Sequence, residues 1–388
     1  MTPLSIAPLE STSPTAAADM AICGLRAGLS SCNDADAWVL HDPRLWLGIA
    51  FHSLMEKARK GLAGAALQSA WNEIVERFVQ EAGSHQFDRR FASTARWPNY
   101  YLAEERAVSA ATDLATRSPP VLGALPTSEH QLNSGTERKL VARSGRLIGR
   151  PDRFNKRAVT DYKSNLPDQT TAIGSEIFRR NRRQIQIYAA MIAEAAGYWP
   201  QKGILAAASG DLIEFDLNPA ECDAEADRAV HDLEAWNRKL ASARQPADIA
   251  SPSAQACQNC RFKLLCPAFW PWLAQGQTAD MPHNNVAVSG RLKYVQLGND
   301  GDVQTVVLAD PTASVPQITT ASLVTRRSIH GDLSQNPVGA ECRIVGAELR
   351  RDGRLVADLH TLLMPTDQLP EIAICPDTMR PPNKVQLA

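Results

Sequence analysis

Apolar residues recur at helical spacing between an N-terminal and a C-terminal helix signal in residues 42–61. Asp42 and Pro43 are typical of an N-cap and a first helical position, and Gly61 is typical of a helix end. The apolar positions between them are Leu45, Leu47, Ile49, Phe51 and Leu54. His52 lies in the middle of this predicted helix, one turn after Gly48. A histidine there is either a core or surface residue, or a metal ligand.

A second helical pattern runs from Glu176 to Ala195. Gln184 and Tyr188 are four residues apart and therefore share one face of this predicted helix. Four arginines crowd the turn before them: Arg179, Arg180, Arg182 and Arg183. These arginines form either a solvated helix end or a set of phosphate contacts.

Between the two helices, residues 147–163 predict a pair of antiparallel strands. The first strand leads to Asp152, and the second contains Thr160 to Lys163. Side chains alternate between the faces of a strand, so Asp161 and Lys163 point the same way. A turn at residues 155–157 brings Asp152 opposite Thr160 or Asp161.

This arrangement of two carboxylates and one ammonium suits metal-dependent phosphodiester hydrolysis. Carboxylate oxygens are ligands for Mg2+ or Mn2+, and a lysine beside the metal can orient or activate a water for attack on phosphorus. His52 then becomes a candidate third ligand beside Asp152 and Asp161. The alternative is a salt-bridged hairpin without chemistry.

The cysteines predict a metal centre in a reducing compartment. The chain has 8 cysteines in 388 residues, and no secretory segment is recognisable, which argues against a disulfide framework. Cys257, Cys260 and Cys266 are close in sequence and suit zinc or an iron–sulfur cluster, with Cys23 or Cys32 as the fourth ligand. The remaining cysteines are interpreted as small apolar residues: Cys222, Cys342 and Cys375.

The pattern changes from helical to alternating after a linker at residues 274–285. Residues 286–294 and 303–308 flank a hairpin signal, and residues 342–349 and 355–363 form another pair. These strands predict a small barrel, which resembles an OB-fold. We therefore expect a first domain in residues 1–273 and an all-β domain with a C-terminal tail in residues 286–388.

Charge and composition restrict the partners of the protein. The formal net charge is −1, so affinity for nucleic acid must come from local basic patches. Seven basic residues are the candidates for positive charge in the predicted barrel, namely Arg291, Lys293, Arg326, Arg327, Arg350, Arg351 and Arg354, and its one aromatic residue is Tyr294. No apolar run predicts a membrane span, and no Walker-type motif predicts an ATPase. We expect a cytoplasmic protein.

The order of these motifs resembles the RecB-type branch of the PD-(D/E)xK nucleases. The motifs are Cys23, Gly48-x3-His52, Gly-Arg-Pro-Asp ending at Asp152, Asp-Tyr-Lys ending at Lys163, Gln184-x3-Tyr188 and Cys-x2-Cys-x5-Cys ending at Cys266. The resemblance covers about residues 11–270. It is greatest to members with an iron–sulfur staple, such as the AddB nuclease domain and the CRISPR-associated RecB-like nucleases. It implies an α/β, restriction-endonuclease-like core with helical insertions.

The resemblance also assigns roles to residues. It implies metal ligation at His52, Asp152, Asp161 and Tyr162, and catalysis by Asp152, Asp161 and Lys163 with support from Gln184 and Tyr188. It implies that Cys23, Cys257, Cys260 and Cys266 hold a [4Fe–4S] cluster, with Zn2+ as the alternative. The chain departs from the family where Ser164-Asn165 replaces the glycine that often follows the lysine.

The expected activity is that of a Mg2+- or Mn2+-dependent exonuclease or end-processing enzyme acting on single-stranded DNA or free DNA ends. DNA repair or antiviral defence is the expected setting, with a helicase or defence complex as partner. We expect the barrel to guide single strands, and the alternative is a structural module that protects the nuclease domain, mediates dimerisation or docks a partner. We expect removal of everything after Thr278 to leave the active site and cluster intact. Two alternatives are a non-catalytic DNA-end-binding subunit of a larger complex and a zinc-stapled nuclease acting on RNA.

Overall fold

A computed structural model describes residues 2–117, 134–136, 138–163, 176–207, 211–276, 285–315, 318 and 321–375 of the chain. Ser164, Asn165, Thr278 and most of the predicted linker lie outside the described residues. The helices are α1 (Pro14–Ile22), α2 (Gly24–Ser31), α3 (Pro43–Arg59), α4 (Ala65–Ser84), α5 (Tyr100–Arg117), α6 (Glu176–Ala196), α7 (Pro219–Ser242), α8 (Ala254–Gln258), α9 (Phe269–Ala274) and α10 (Arg327–His330).

The strands are short in the first part of the chain and longer in the last part. They are β1 (Leu4–Ile6), β2 (Ser134–Thr136), β3 (Leu140–Ala142), β4 (Leu147–Gly149), β5 (Arg153–Asn155), β6 (Ala158–Lys163), β7 (Lys202–Ala207), β8 (Leu212–Asp216), β9 (Val286–Leu297), β10 (Val303–Ala313), β11 (Ala321–Arg326), β12 (Glu341–Leu349), β13 (Leu355–Val356), β14 (Leu362–Pro365) and β15 (Ile372–Ile374).

The chain forms two compact units. Unit 1 consists of residues 1–8, 22–40 and 238–388, and unit 2 consists of residues 9–21 and 41–237. Unit 1 therefore contains the predicted cysteine motif as well as the predicted barrel, and unit 2 contains the predicted acid–lysine motif. The domain boundary expected at residues 274–285 stays a prediction.

Helix α3 begins and ends where its capping signals predict. Asp42 is the N-cap, and its Oδ1 accepts a hydrogen bond of 2.9 Å from the backbone N–H of Arg44. Gly61 has a φ of 99°, a conformation that favours glycine. It allows the backbone N–H of Leu62 to donate to the carbonyl of Lys57 at 3.1 Å, which closes the last turn. These caps fix the position of His52 on the helix.

The centre of unit 2 is a five-stranded mixed sheet with the strand order β2-β5-β6-β7-β8. Strands β5 and β6 are antiparallel, with Arg153 opposite Thr160, whereas β6 and β7 are parallel. The side chain of Asn155 accepts hydrogen bonds from two backbone N–H groups, those of Arg157 and Ala158, in the connecting turn. The predicted hairpin register is confirmed, because continuation of this pairing places Asp152 opposite Asp161.

Apolar residues of the sheet and of α6 form the core of unit 2. The buried members include Phe154, Val159, Ile185, Met191 and Leu205. Gly149 ends β4 against this core, and a Cβ atom there would lie 2.7 Å from Cε1 of Tyr188. The glycine of the Gly-Arg-Pro-Asp motif is therefore explained by close packing of the tyrosine ring.

The last part of the chain forms a closed five-stranded barrel, as the alternating pattern predicts. Its strands follow the order β13-β11-β10-β9-β12, and β12 also pairs with β13, which closes the barrel. The predicted strand at residues 355–363 is two strands, β13 and β14, separated by a turn in which the Thr361 hydroxyl donates to the carbonyl of Gly346. The barrel is shown; its identity as an OB-fold stays a prediction.

The cysteine segment packs within unit 1 against residues of the barrel region. Arg343 of β12 donates a 2.9 Å hydrogen bond to the carbonyl of Leu264 and lies over the ring of Trp270. Lys263 donates to the side chain of Asn285 at 2.8 Å. Removal of everything after Thr278 would break these contacts, so we no longer expect such a truncation to leave the cysteine site intact.

Among the described helices none is long and apolar enough to cross a membrane.

Candidate active site and cysteine site

Asp161 and Lys163 form a buried ion pair on β6. Nζ of Lys163 lies 2.6 Å from Oδ2 of Asp161, and Asp161 is 5% exposed. Apart from this ammonium, no described group donates a hydrogen bond to the buried Oδ2 atom. The alternation of β6 therefore brings the two side chains together as predicted, and it leaves a carboxylate oxygen whose usual partners are missing.

Helix α6 supplies the groups that hold this pair. Lys163 donates to Oε1 of Gln184 at 3.2 Å, and Nε2 of Gln184 donates to Oδ1 of Asp161 at 3.3 Å. Tyr188, one turn further, is 6% exposed, and its hydroxyl contacts the Gln184 side chain and the backbone of Arg150. Burial raises the pKa of Tyr188 above its ordinary value, so the hydroxyl stays protonated. Gln184 thus contacts both members of the Asp161–Lys163 ion pair, and Tyr188 contacts Gln184.

Asp152 reaches the same place from the end of β4 and the start of β5. Its Oδ2 accepts a 2.6 Å hydrogen bond from the backbone N–H of Tyr162. The Tyr162 hydroxyl accepts a hydrogen bond from Arg59 of α3 at 3.2 Å. The metal-ligand role predicted for Tyr162 stays a prediction.

Burial makes both carboxylates harder to ionise. Burial raises the pKa of Asp161 to about 6, opposed by Lys163 and reinforced by the charge of Asp152. Burial also raises the pKa of Asp152. Lys163 opposes both shifts, and Arg59 opposes that of Asp152. Two carboxylates at one place supply the oxygen ligands that a divalent cation prefers.

His52 projects from α3 toward the same strand. Its ring lies edge-on to Tyr162, with centroids 5.3 Å apart. Burial lowers the pKa of His52, and the charge of Asp161 opposes this shift. The imidazole is therefore neutral at pH 7, which is the form that binds a metal. Its role as a ligand stays a prediction.

A groove with an empty volume of about 770 Å3 opens beside these residues. Its walls come from α3 and from the start of α5, and His52 and Lys163 lie at its edge. The other lining residues are Arg44, Leu47, Gly48, Phe51, Pro98, Asn99, Leu102, Ala103 and Arg106. The groove thus combines apolar and aromatic surface with two arginines. The sequence reasoning did not predict a groove at these residues.

Most of the arginines that precede Gln184 are ion-paired with acidic residues of unit 2. Arg180 pairs with Asp19 at 3.1 Å. Arg182 pairs with Glu221 at 3.3 Å. Arg183 contacts Glu225 at 2.9 Å and Asp232 at 2.7 Å. These contacts favour a structural role over phosphate binding, and no signal near the arginines in sequence indicated their distant partners.

The basic residues of the barrel are mostly neutralised too. Within the described part of the chain, five of the seven form ion pairs, namely Arg291–Asp310, Arg326–Asp302, Arg327–Asp332, Arg350–Glu348 and Arg354–Asp352. Tyr294 is 48% exposed. Local pairing of this kind cancels most of the positive field that would attract a nucleic-acid strand.

In unit 1 the four predicted ligands Cys23, Cys257, Cys260 and Cys266 line one cavity, with an empty volume of about 380 Å3. Cys32 is not among the lining residues, which selects Cys23 as the fourth member. Cys23 lies at the N-terminal boundary of α2 and accepts a hydrogen bond from the backbone N–H of Ser251 at 3.4 Å. The chain thus brings together thiols that are more than 200 residues apart in sequence.

The surroundings of the sulfur atoms suit bound thiolates. Burial raises the pKa of Cys257 to about 11 and that of Cys266 to about 12, so the free groups are thiols. Backbone hydrogen bonds from Phe262 to Cys260, and from Ala268 and Phe269 to Cys266, favour the charged form instead. Such hydrogen bonds to sulfur are common around iron–sulfur clusters.

His41, His85 and Asp88 form a separate candidate metal site. Their donor atoms lie within 4.8 Å of one another, and among the described residues this is the one such group of three side chains. Asp88 is buried and accepts from the backbone N–H of His41 at 2.9 Å, and its Oδ2 lies 2.7 Å from the ring Nδ1. This group could hold a metal and also anchors the segment before α3. The sequence reasoning missed it because its members are not at ligand spacing.

One family model matches this chain. It is that of the PD-(D/E)XK nuclease superfamily, and it covers residues 11–267. No curated protein matches the chain. Because the matched segment is more than half of the chain and includes Asp152, Asp161 and Lys163, the chain belongs to the PD-(D/E)XK nuclease superfamily, whose members are metal-dependent phosphodiesterases. The RecB-type branch within the superfamily stays a prediction.

The raised pKa of Asp161 predicts how stability depends on pH. In the metal-free protein the folded-state pKa of about 6 lies above the unfolded value of about 3.9. The stabilisation from this group is therefore full below pH 4 and is lost as the pH rises through 6. Asp161→Asn should remove this loss. We expect the free energy of unfolding of the wild type in EDTA, relative to that of the variant, to fall by on the order of 2 kcal/mol between pH 5 and pH 8.

Urea unfolding at several pH values measures this difference. Asp216→Asn is the control, because Asp216 is an exposed carboxylate on β8 that also pairs with a lysine, Lys202, at 2.6 Å. The free energy of unfolding of Asp216→Asn should show the same dependence on pH as that of the wild type. Parallel curves for the wild type and Asp161→Asn would refute the buried-charge interpretation.

Proposed function

We propose that this protein is a Mg2+- or Mn2+-dependent deoxyribonuclease that hydrolyses phosphodiester bonds of single-stranded DNA, or of free DNA ends, as an exonuclease or end-processing enzyme. The observation that carries the proposal is the convergence of Asp152, Asp161 and Lys163 at one buried point of β5 and β6. A cytoplasmic setting and a role in DNA repair or antiviral defence accompany this proposal.

Each residue of the site has a separate task in hydrolysis. Asp152 and Asp161, with His52, would hold the cation, and the chemistry of a bound divalent metal is to polarise the phosphodiester and acidify a water. Lys163 donates to the attacking water or to the phosphate oxygen as negative charge develops. Gln184 keeps Lys163 in place through its 3.2 Å hydrogen bond. Water adds to phosphorus, and the P–O bond of the leaving nucleotide breaks.

The groove along α3 and α5 supports a preference for single strands. Phe51 and Leu102 give it apolar surface, and exposed bases of single strands stack or pack on such surface. Arg44 and Arg106 supply positive charge for the backbone phosphates. In a duplex the bases are paired and stacked on one another, so they cannot use these contacts. Lys163 and His52 also line the groove, next to the proposed site of cleavage.

We further propose that the four cysteines hold a [4Fe–4S] cluster. A single zinc ion with Zn–S bonds of about 2.3 Å requires sulfurs about 3.8 Å apart, whereas among the described residues no three of these thiols meet a 4.8 Å limit. In a cluster each cysteine binds a different iron, so the thiols lie farther apart than around one zinc ion, and all four line one cavity. Zinc remains the alternative that metal analysis would reveal.

The first test concerns the catalytic residues. Asp161→Ala or Lys163→Ala should lower the rate of cleavage of end-labelled single-stranded DNA by several orders of magnitude, because one removes a metal ligand and the other the donor to the reacting oxygens. The controls are Lys202→Ala and Asp216→Ala, which break an ion pair of the same 2.6 Å length on β7 and β8.

Both control variants should keep wild-type rates. Cleavage by Lys163→Ala at the rate of the controls would mean that the hairpin is structural. DNA-end binding without cleavage in the wild type, with Mn2+ or Mg2+ present, would instead favour the non-catalytic subunit. Faster cleavage of RNA than of DNA would favour the alternative RNA nuclease.

The second test concerns the groove. Phe51→Ala should lower kcat/KM for short single-stranded DNA about tenfold, because stacking on one base contributes about 1–3 kcal/mol. Arg106→Ala should weaken binding and reduce its dependence on salt. Lys57→Ala is the control, since Lys57 is an exposed basic residue of α3 outside the groove. Equal loss on single-stranded and blunt duplex DNA would remove the support for single-strand preference.

The third test concerns the cysteines. Anaerobically purified protein should contain iron and sulfide and absorb broadly near 400 nm, as clusters of this type do. Cys23→Ser and Cys260→Ser should lose most of the iron, whereas Cys32→Ser, outside the cavity, should retain it. One zinc per chain without iron or sulfide would overturn the cluster. Loss of the centre in Cys32→Ser would show that the fourth ligand is wrong.

A further inference from the structure

A buried lysine lies between the cysteine ligands of unit 1. Lys263 is 5% exposed and follows Cys260 by three residues. Among the described residues of unit 1 it is the one Lys, Arg, Asp or Glu that is buried. An ammonium removed from water costs several kcal/mol unless an opposite charge compensates it. The structure must therefore provide such a charge when the lysine is protonated.

The hydrogen-bond partners of Lys263 do not provide it. Nζ donates to the carbonyl of Gln258 at 3.0 Å and to Oδ1 of Asn285 at 2.8 Å. The Asn285 amide in turn donates to the same carbonyl at 2.8 Å. Both acceptors are neutral, so they orient the ammonium without balancing its charge. Lys263 lines the same cavity as the four cysteines, so their sulfurs are the groups near it that can carry a negative charge.

Two further cations face the same sulfurs. Arg26 lines the cavity and acts on the charge of Cys260. Arg343, held over the ring of Trp270 at 5.3 Å, interacts with the charge of Cys266. Lys263 and Arg26 line the cavity of the four thiols, and Arg343 lies near Cys266. These three cations suit a centre that is negatively charged, as an iron core bound by four thiolates is.

We propose that Lys263 is the buried counter-charge of the anionic iron–sulfur centre, and that it raises the reduction potential of that centre. This inference rests on the proposed cluster. One-electron reduction by a low-potential donor adds negative charge near the ammonium, so the lysine stabilises the reduced form more than the oxidised form. Lys263 would act through the cluster, as a residue that tunes its potential.

The test uses Lys263→Gln, which keeps an N–H donor and removes the charge. In a redox titration of the loaded full chain, the ratio of reduced to oxidised cluster at a fixed potential should fall about tenfold, which corresponds to about 59 mV for one electron. Lys239→Gln, an exposed lysine of unit 1, is the matched control and should not shift the potential.

The stability of the chelator-stripped protein gives an independent readout. Loss of an uncompensated buried charge should raise it, whereas loss of a purely structural residue should lower it. Lys263→Met should make the chelator-stripped protein more resistant to urea, because a buried charge without compensation is removed. The same variant should release iron faster from the loaded protein. Destabilisation of both forms, or an unshifted potential in loaded Lys263→Gln, would overturn the counter-charge while leaving the cluster. A wild type without iron and sulfide would overturn the cluster and this inference, and the nuclease assay would be unaffected.

Discussion

The burial of Asp161 beside a second carboxylate is the constraint on which the active site depends. A carboxylate that is 5% exposed resists ionisation, and the charge of Asp152 increases that resistance. The fold compensates in part with Lys163 and with the amide of Gln184. The remaining negative charge is what gives the site its affinity for a cation, so the same burial that weakens the metal-free fold prepares it for metal-dependent chemistry.

The cysteine site of unit 1 follows the same logic with the signs exchanged. There the buried charge without a local partner is an ammonium, and the groups that can become negative are thiols whose pKa values are raised by burial. Each site is incompletely balanced by its own side chains, and in each the imbalance has the sign that the proposed inorganic group would correct. Without a bound metal ion or cluster, burial of the carboxylates of the first site and of the ammonium of the second would cost free energy that nothing offsets.

Local signals in the sequence predicted much of the fold and of the candidate site. Asp42, Pro43 and Gly61 marked α3 because capping depends on adjacent residues. The alternation of β6 placed Asp161 beside Lys163 because strand geometry has a period of two. Three features were not predicted. They are the split of residues 355–363 into β13 and β14, the carboxylate partners of Arg180 and Arg183, and the burial of Lys263. Each depends on contacts between residues far apart in the chain, which no local pattern encodes.

Unit 1 is assembled from three separate stretches of chain, and this connectivity sets the order in which the protein can mature. Cys23 and Cys257 are separated by 234 positions (257 − 23). A ribosome that adds about 5–20 residues per second takes roughly 10–50 s to cover that distance. All residues of unit 2 leave the ribosome before Cys257 does, so the acid–lysine site can fold during synthesis. If the chain holds the proposed cluster, the Cys23 thiol must wait in the reduced state, and delivery of iron and sulfide would be a late step that follows translation of the cysteine segment.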